Sequence, residues 1–203
     1  NTVNVKVGKK NVTLSQQTNY PWDGDVALTI NNGAGNYALN IRIPGWVKNE
    51  VVPSNLYTYS DTKRLGYTVK VNGKPVEGEL KQGYFVIDRA WKKGDKVDIH
   101  FDMEARTVRA NGKVAADKGR VSVERGPIVY CAEWPDNKCD VLSVLINQEP
   151  KFALGSEEIM NTKVQTLTTD AQTLNFSKEG KLQTTDEKLV LIPYYAWNHR
   201  GAG

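Results

Sequence analysis

Hydrophobic and polar residues alternate along most of the chain with a period of two. Successive side chains of a β-strand point to opposite faces of a sheet, so an alternating run is typical of a strand with one buried face. The sequence therefore predicts such strands at five clear runs: Val3 to Val7, Val26 to Ile30, Tyr37 to Ile43, Tyr67 to Val71 and Val97 to Phe101.

Turn-forming residues lie between these runs, at Asn32-Gly33, Asn72-Gly73 and Lys93-Gly94-Asp95. Glycine and asparagine tolerate the positive φ that tight hairpin turns require. Asn72-Gly73 gives the clearest signal, because an alternating run leads into it and an extended pair leads out. The sequence thus predicts antiparallel strands connected by hairpin turns.

Many short strands with regular turns predict an all-β fold of two consecutive antiparallel β-sandwich units, of the jelly-roll or immunoglobulin-like kind. The composition becomes more polar between Met103 and Ala116, where the regular alternation stops. We place the boundary near residue 105, with the first sandwich at 1–105 and the second at 106–203. Each unit has about 100 residues, enough for an independent core.

The second half is less regular than the first. Leu142 to Ile146 is a continuous apolar run, which suits a strand buried on both faces, and Gly155 to Met160 could form one short helix. Residues 161–187 are polar and predict either a strand pair or a long loop. In the first half, residues 47–66 predict a long loop that folds back or touches a neighbouring domain.

Composition excludes several classes of function. The 203 residues are 39% hydrophobic and 25% charged, which is ordinary for a globular protein. The 27 basic and 23 acidic residues give a net charge of +4, too small and too scattered for a nucleic-acid footprint. No apolar run approaches the roughly 20 residues that span a bilayer.

The chain has two cysteines, Cys131 and Cys139, which either form a disulfide around a short loop or are two unrelated thiols. A structural zinc site needs about four ligands. Two cysteines and the distant His100 and His199 do not supply them, so we expect no metal on this chain.

Acidic residues give no clear catalytic pair. Most glycosidases use two carboxyl groups about 5–10 Å apart. Asp23 and Asp25 flank a glycine, which favours turn capping over catalysis. Glu124 and Glu133 lie on or beside a strand, where we expect them to pair with Arg120 or Arg125.

The aromatic residues fall into two groups. Trp46 and Trp91 follow strands directly, so we expect them in the core. Tyr20, Trp22 and the group of Tyr194, Tyr195 and Trp197 lie in segments with proline, glycine or polar neighbours, which indicates shaped loops. Such loops on a rigid scaffold commonly carry binding function.

Four segments are more specific than ordinary β sequence: Tyr20–Gly24, Ile41–Trp46, Gly119–Cys131 and Ile192–Gly201. With Gly83–Trp91 between them, and in this order and spacing, they resemble the C-terminal β region of glycoside hydrolase family 127. These are the β-L-arabinofuranosidase-like proteins, and the resemblance covers nearly the whole chain.

The resemblance implies that the chemistry lies elsewhere. In such enzymes an N-terminal (α/α)6 barrel carries a cysteine thiolate nucleophile beside zinc, which is held by further cysteines and a glutamate. None of these residues maps onto this chain, so we assign no catalytic residue, metal ligand or cofactor to it. Zinc is expected only in the catalytic domain.

The expected role is to buttress that barrel in a bacterial glycoside hydrolase acting on arabinofuranoside-type glycans. The expected partner is the catalytic domain of the same polypeptide, with a homodimer or a glycan as further partners, and export from the cell is expected. A free-standing carbohydrate-binding module and a structural or adhesive surface domain are the alternatives. The candidate interface or glycan-proximal residues are Tyr20, Trp22, Asp23, Tyr194, Tyr195, Trp197, Asn198 and Arg200.

Overall fold

The computed structural model describes residues 1–200, so the end of the last motif, Gly201, lies outside the described residues. The described residues form seventeen strands and five 3₁₀ helices of three residues each. The strands are β1 (Thr2–Val7), β2 (Lys10–Thr18), β3 (Asp25–Asn32), β4 (Gly35–Arg42), β5 (Tyr57–Tyr59), β6 (Tyr67–Val71), β7 (Lys74–Pro75), β8 (Glu79–Lys81), β9 (Tyr84–Trp91), β10 (Lys96–Phe101), β11 (Ala105–Ala110), β12 (Val121–Arg125), β13 (Ile128–Cys131), β14 (Val144–Ile146), β15 (Ala153–Ile159), β16 (Thr162–Phe176) and β17 (Leu182–Pro193). The 3₁₀ helices are Trp46–Lys48, Ala115–Asp117, Trp134–Asp136, Val141–Ser143 and Tyr194–Ala196. The all-β class is therefore confirmed, and the sandwich arrangement of each unit stays a prediction.

The chain divides into two compact units. The first comprises Asn1–Thr58 and Thr62–Glu104, and the second comprises Tyr59–Asp61 and Ala105–Gly203. Three residues of the predicted loop 47–66 thus belong to the second unit, and the first of them, Tyr59, is the last residue of β5. The sequence pattern predicted a long loop that folds back or touches a neighbouring domain, and it did not predict strand β5.

The first unit contains two antiparallel sheets. One has the order β1-β2-β3-β10-β6-β7 and the other has the order β4-β9-β8. Its core includes Ile30, Ile43 and Val97, all fully buried, and Trp91, which is 1% exposed. The Trp91 indole N–H donates to the carbonyl of Tyr37 at 2.9 Å, so the expectation that Trp91 is a core residue is correct.

The expected Asn72-Gly73 turn is present between β6 and β7. Asn72 has φ 53° and Gly73 has φ 76°, which are the positive values that a two-residue hairpin turn needs. The Asn72 side chain accepts a hydrogen bond from the Lys96 backbone N–H at 2.9 Å. The turn is therefore tied to the start of β10 as well as to its own hairpin.

The expectation that Val3, Val5 and Val7 have a buried face is wrong. They form β1, but their side chains are 50%, 40% and 37% exposed. The reason is position, since β1 pairs only with β2 at the end of the six-stranded order. Alternation correctly predicted the strand there and failed to predict its burial.

The second unit contains an eight-stranded sheet. Seven strands follow the order β14-β16-β17-β13-β12-β11-β5, and the eighth, β15, pairs with β16. Its core includes Leu167, Leu189 and Ile192, each at most 1% exposed. Residues 161–187 contain a strand pair, since Phe176 of β16 lies opposite Leu182 of β17.

Two expectations for the second unit are wrong. Gly155 to Met160 is not a helix, because Ala153–Ile159 pairs along its whole length with β16. The sheet supplies every residue with a cross-strand neighbour, and this outweighs the local helix preference. Leu142 to Ile146 is not buried on both faces, since Leu142 is 87% exposed and Leu145 is 45% exposed.

Candidate functional site

The first candidate segment, Tyr20 to Asp23, connects β2 to β3 in the first unit. Tyr20, Trp22 and Asp23 are all half-buried. The Tyr20 ring packs edge-on against Phe101 with centroids 6.4 Å apart, and burial raises the pKa of its hydroxyl. This segment is packed against the end of β10 and does not stand out as a free loop.

Asp23 closes the turn in this segment, as expected from the sequence. One of its carboxylate oxygens accepts from the Asp25 backbone N–H at 3.1 Å, and the other accepts from the Asn19 amide at 3.2 Å. Asp25 in turn lies 2.6 Å from Nδ1 of His100. An open cleft of about 450 Å³ lies beside Asp23, Asp25 and Asp98. The carboxylates of Asp23 and Asp25 are thus engaged locally.

The second candidate segment follows β17 in the second unit and carries three exposed aromatic side chains. Tyr194, Tyr195 and Trp197 are 55%, 54% and 49% exposed, whereas Ala196 between them is 4% exposed. The rings of Tyr194 and Trp197 stack nearly parallel, with centroids 5.7 Å apart and an interplanar angle of 8°. We call this pair the aromatic platform.

A charge cluster holds the segment in place beyond the platform. The Arg200 guanidinium donates to Oδ1 of Asp136 at 2.7 Å and also donates to Asp136 Oδ2 and to the Glu133 carboxylate. The backbone N–H of Asn198 donates to the same Glu133 carboxylate. Because Glu133 is only 6% exposed, its charge depends on these donors. We call Arg200, Glu133 and Asp136 the clamp.

Asn137 fixes the other side of the clamp to the sheet. Its side-chain amide donates to the Val190 carbonyl at 3.0 Å and accepts from the Val190 N–H at 2.9 Å. The same amide donates to the Glu133 carbonyl at 2.7 Å. Asn137 therefore imitates a neighbouring strand at β17 and positions Glu133 to receive Arg200.

Sequence reasoning found one end of this arrangement and missed the other. The residues Tyr194, Tyr195, Trp197, Asn198 and Arg200 were candidates, but Glu133 was expected to pair with Arg120 or Arg125. Its partner is Arg200, 67 positions away. Glu124 likewise accepts from the Tyr59 hydroxyl at 3.3 Å. The one sequence signal for this pairing is that Glu133 to Asn137 combines two acidic residues with a tryptophan. This composition could have indicated a partner for the C-terminal motif.

The two cysteines both lie in the second unit. Cys131 and Cys139 are free thiols, which is the unbonded one of the two alternatives. The expectation of export therefore has no support from a disulfide. Burial, with the nearby Glu133 and Asp136 charges, raises the pKa of Cys131 to about 11, which keeps it protonated at neutral pH. Within residues 1–200, no group of three or more His, Cys, Asp or Glu side chains is arranged to hold a metal ion.

The described part of the chain also contains no helix long and apolar enough to cross a membrane.

Two family models match the chain from end to end. Residues 1–103 match the β-L-arabinofuranosidase GH127 middle domain, and residues 105–203 match the glycoside hydrolase family 127 C-terminal domain. A curated relative, the non-reducing end β-L-arabinofuranosidase of Bifidobacterium longum subsp. longum, is 31% identical over 95% of this chain and 29% of its own length.

Solved structures of glycoside hydrolase family 127 enzymes are also similar to this chain. A GH127 β-arabinofuranosidase is 52% identical with a TM-score of 0.95, over 98% of this chain and 32% of its own. A GH127 β-L-arabinofuranosidase from Geobacillus stearothermophilus T6 is 31% identical with a TM-score of 0.82, over all of this chain and 31% of its own. The chain thus spans about a third of the length of the proteins it matches.

Proposed function

Because the chain belongs to glycoside hydrolase family 127, as its middle and C-terminal domains, we propose that it is the non-catalytic β region of an arabinofuranosidase. The observation that carries this proposal is the extent of the match. The family models describe a middle domain and a C-terminal domain, and together they account for residues 1–103 and 105–203. The parent enzyme would act on arabinofuranoside-type glycans.

The proposal assigns the catalytic chemistry to the part of the relatives that this chain does not match. That part makes up about two-thirds of their length. The proposal places the zinc and the cysteine nucleophile there. On this chain, the raised pKa of Cys131 leaves a protonated, half-buried thiol, which is a poor nucleophile at neutral pH.

A set of exposed apolar side chains in the second unit supports a buttressing role. Phe176 and Leu182 face each other across the end of the β16–β17 hairpin and are 75% and 60% exposed. Leu145 lies opposite Gln172 on β16 and is 45% exposed. A two-stranded ribbon is only marginally stable in water by itself. Exposed apolar side chains at its end therefore favour a protein contact, and the remainder of the polypeptide would provide it.

The 52% identical β-arabinofuranosidase allows a direct test of this role. The part of that relative that this chain does not match, about two-thirds of its length, would be produced alone and together with the 203-residue chain. We expect co-purification, and we expect the unmatched portion to unfold at a higher temperature when the chain is present. A Phe176→Ala/Leu182→Ala double variant should weaken the association, while Val3→Ala, an exposed apolar control on β1, should not. An unmatched portion that is equally stable and active without the chain would contradict the proposal.

A further inference from the structure

We infer that the aromatic platform of Tyr194 and Trp197 is a carbohydrate-binding surface, which contacts arabinofuranose residues of the substrate glycan. The inference rests on the proposed function, since that function brings an arabinofuranoside glycan to this chain.

Several contacts hold the backbone that carries the platform. Pro193 and Ala196 are buried on either side of the first two aromatic residues. The backbone of Asn198 and the Arg200 guanidinium are held by Glu133, and Trp197 N–H donates to the Tyr194 carbonyl at 3.0 Å. Rings fixed in the free protein lose little conformational freedom when a ligand binds. Half-exposed aromatic rings on a backbone that is held in this way are typical of a preformed binding surface.

The two rings stack on each other, and about half of each residue stays exposed to a ligand. Aromatic faces carry a negative quadrupole potential, which attracts the weakly positive C–H groups on the flat face of a sugar ring. The tyrosine hydroxyl and the indole N–H lie at the ring margins and can bond to sugar hydroxyls. The exposed Asn198 and His199 side chains follow the platform directly and add further hydrogen-bonding groups.

The surroundings favour a neutral glycan over a protein. Residues 131–139 and 193–200 contain two carboxylates (Glu133, Asp136) and two cations (Lys138, Arg200), so their formal net charge is zero with His199 neutral. Neither segment contains Leu, Ile, Val or Met, and its large exposed apolar side chains are Trp134, Tyr194, Tyr195 and Trp197. The exposed apolar residues Leu145, Phe176 and Leu182 lie on β14, β16 and β17, and we assign them to protein contact.

The test is calorimetric titration of the 203-residue chain with an arabinofuranose oligosaccharide, with methyl β-L-arabinofuranoside as the smallest probe. We expect millimolar affinity for the oligosaccharide. Trp197→Ala should weaken it about tenfold, the equivalent of about 1.4 kcal/mol, and Tyr194→Ala should also weaken it. Trp197→Phe, which keeps a stacking ring, should retain most of the affinity. Phe176→Ala removes a more exposed ring from the hairpin and should have no effect.

Thermal unfolding of each variant separates loss of binding from loss of the fold. No heat of binding to the wild-type chain at concentrations of about 10 mM would overturn the inference, as would equal affinities of the wild type and Trp197→Ala. If Trp197→Ala instead weakens association with the unmatched portion of the 52% identical relative, the platform is a protein contact and the inference is wrong. The buttressing role would survive all three results, because its own test measures assembly and stability.

Discussion

Arg200 and Asp136 form a two-pronged ion pair, in which both terminal nitrogens of the guanidinium reach the carboxylate across 64 residues of sequence. Charge-assisted pairs with two parallel bonds are stronger and more directional than single contacts. The hydrogen bond to Asp136 is the main reason that the pKa of Arg200 rises above its usual value. This pair and Glu133 determine where the chain runs after β17.

Removing the arginine should therefore destabilise the second unit. Arg200→Ala leaves the 6% exposed Glu133 without its cation, and we expect a loss of about 2–3 kcal/mol in unfolding free energy. Chemical denaturation monitored by tryptophan fluorescence measures it. The exposed Arg120 in the same unit provides the matched control, and Arg120→Ala should change the unfolding free energy by less than about 0.5 kcal/mol. Equal effects of the two substitutions would contradict the role given to the clamp.

Asp95 should make the first unit sensitive to acid. Hydrogen bonds from the Asn72 amide at 3.0 Å and the Lys92 N–H at 2.8 Å lower its pKa. A lowered pKa stabilises the fold above the unfolded-state value near 4, and this contribution is lost as the pH falls through the folded-state value.

Asp95→Asn should consequently cost about 1–2 kcal/mol at pH 7 and much less near pH 2. Urea unfolding at a series of pH values gives the comparison. Asp98→Asn, an exposed position on β10, is the control. A cost for Asp95→Asn that does not shrink in acid would show that the carboxylate charge is not what matters there.

Gly24 should tolerate no side chain. A Cβ at this position would lie 1.9 Å from the Phe101 carbonyl oxygen, and backbone atoms there cannot move aside easily. The same close approach carries the hydrogen bond from the Phe101 N–H to the Gly24 carbonyl at 3.0 Å. We expect Gly24→Ala to cost about 2–3 kcal/mol, seen as a lower melting temperature. At Gly112 nothing lies within 4 Å of the added atom, so an equal loss for Gly112→Ala would refute the steric explanation.

Cys131 should react slowly with alkylating reagents. Its pKa of about 11 leaves little thiolate at neutral pH, so the iodoacetamide rate should stay low at pH 7 and climb through pH 10. Mass spectrometry of Cys131 peptides after timed labelling follows this rate, with Cys139→Ser removing the second thiol. Rapid labelling at pH 7 would indicate an activated thiolate and would argue against the non-catalytic assignment of Cys131.

Local patterns in the sequence were sufficient for the strands and several turns. Alternation from Val97 to Phe101 corresponds to β10, whose Val97, Ile99 and Phe101 side chains are buried as expected. Asn72-Gly73 needs only its own backbone preferences to form a turn. Features of this kind depend on residues close together in the chain.

Long-range pairing was not predictable from those patterns. The helix expected at Gly155 to Met160 is a strand because β16 lies beside it, and the exposure of Val3 follows from the edge position of β1. The clamp joins Glu133 to Arg200, and neither residue has a local feature that identifies the other. The aromatic residues of the platform were recognisable, but their stacking and exposure depend on that clamp.

Hydrolysis of an aryl β-L-arabinofuranoside by the purified 203-residue chain tests the central claim most directly. The account predicts a rate that is indistinguishable from buffer, with and without added zinc. Turnover that co-elutes with the chain would contradict it, most clearly if that turnover survives both zinc chelation and the Cys131→Ser substitution.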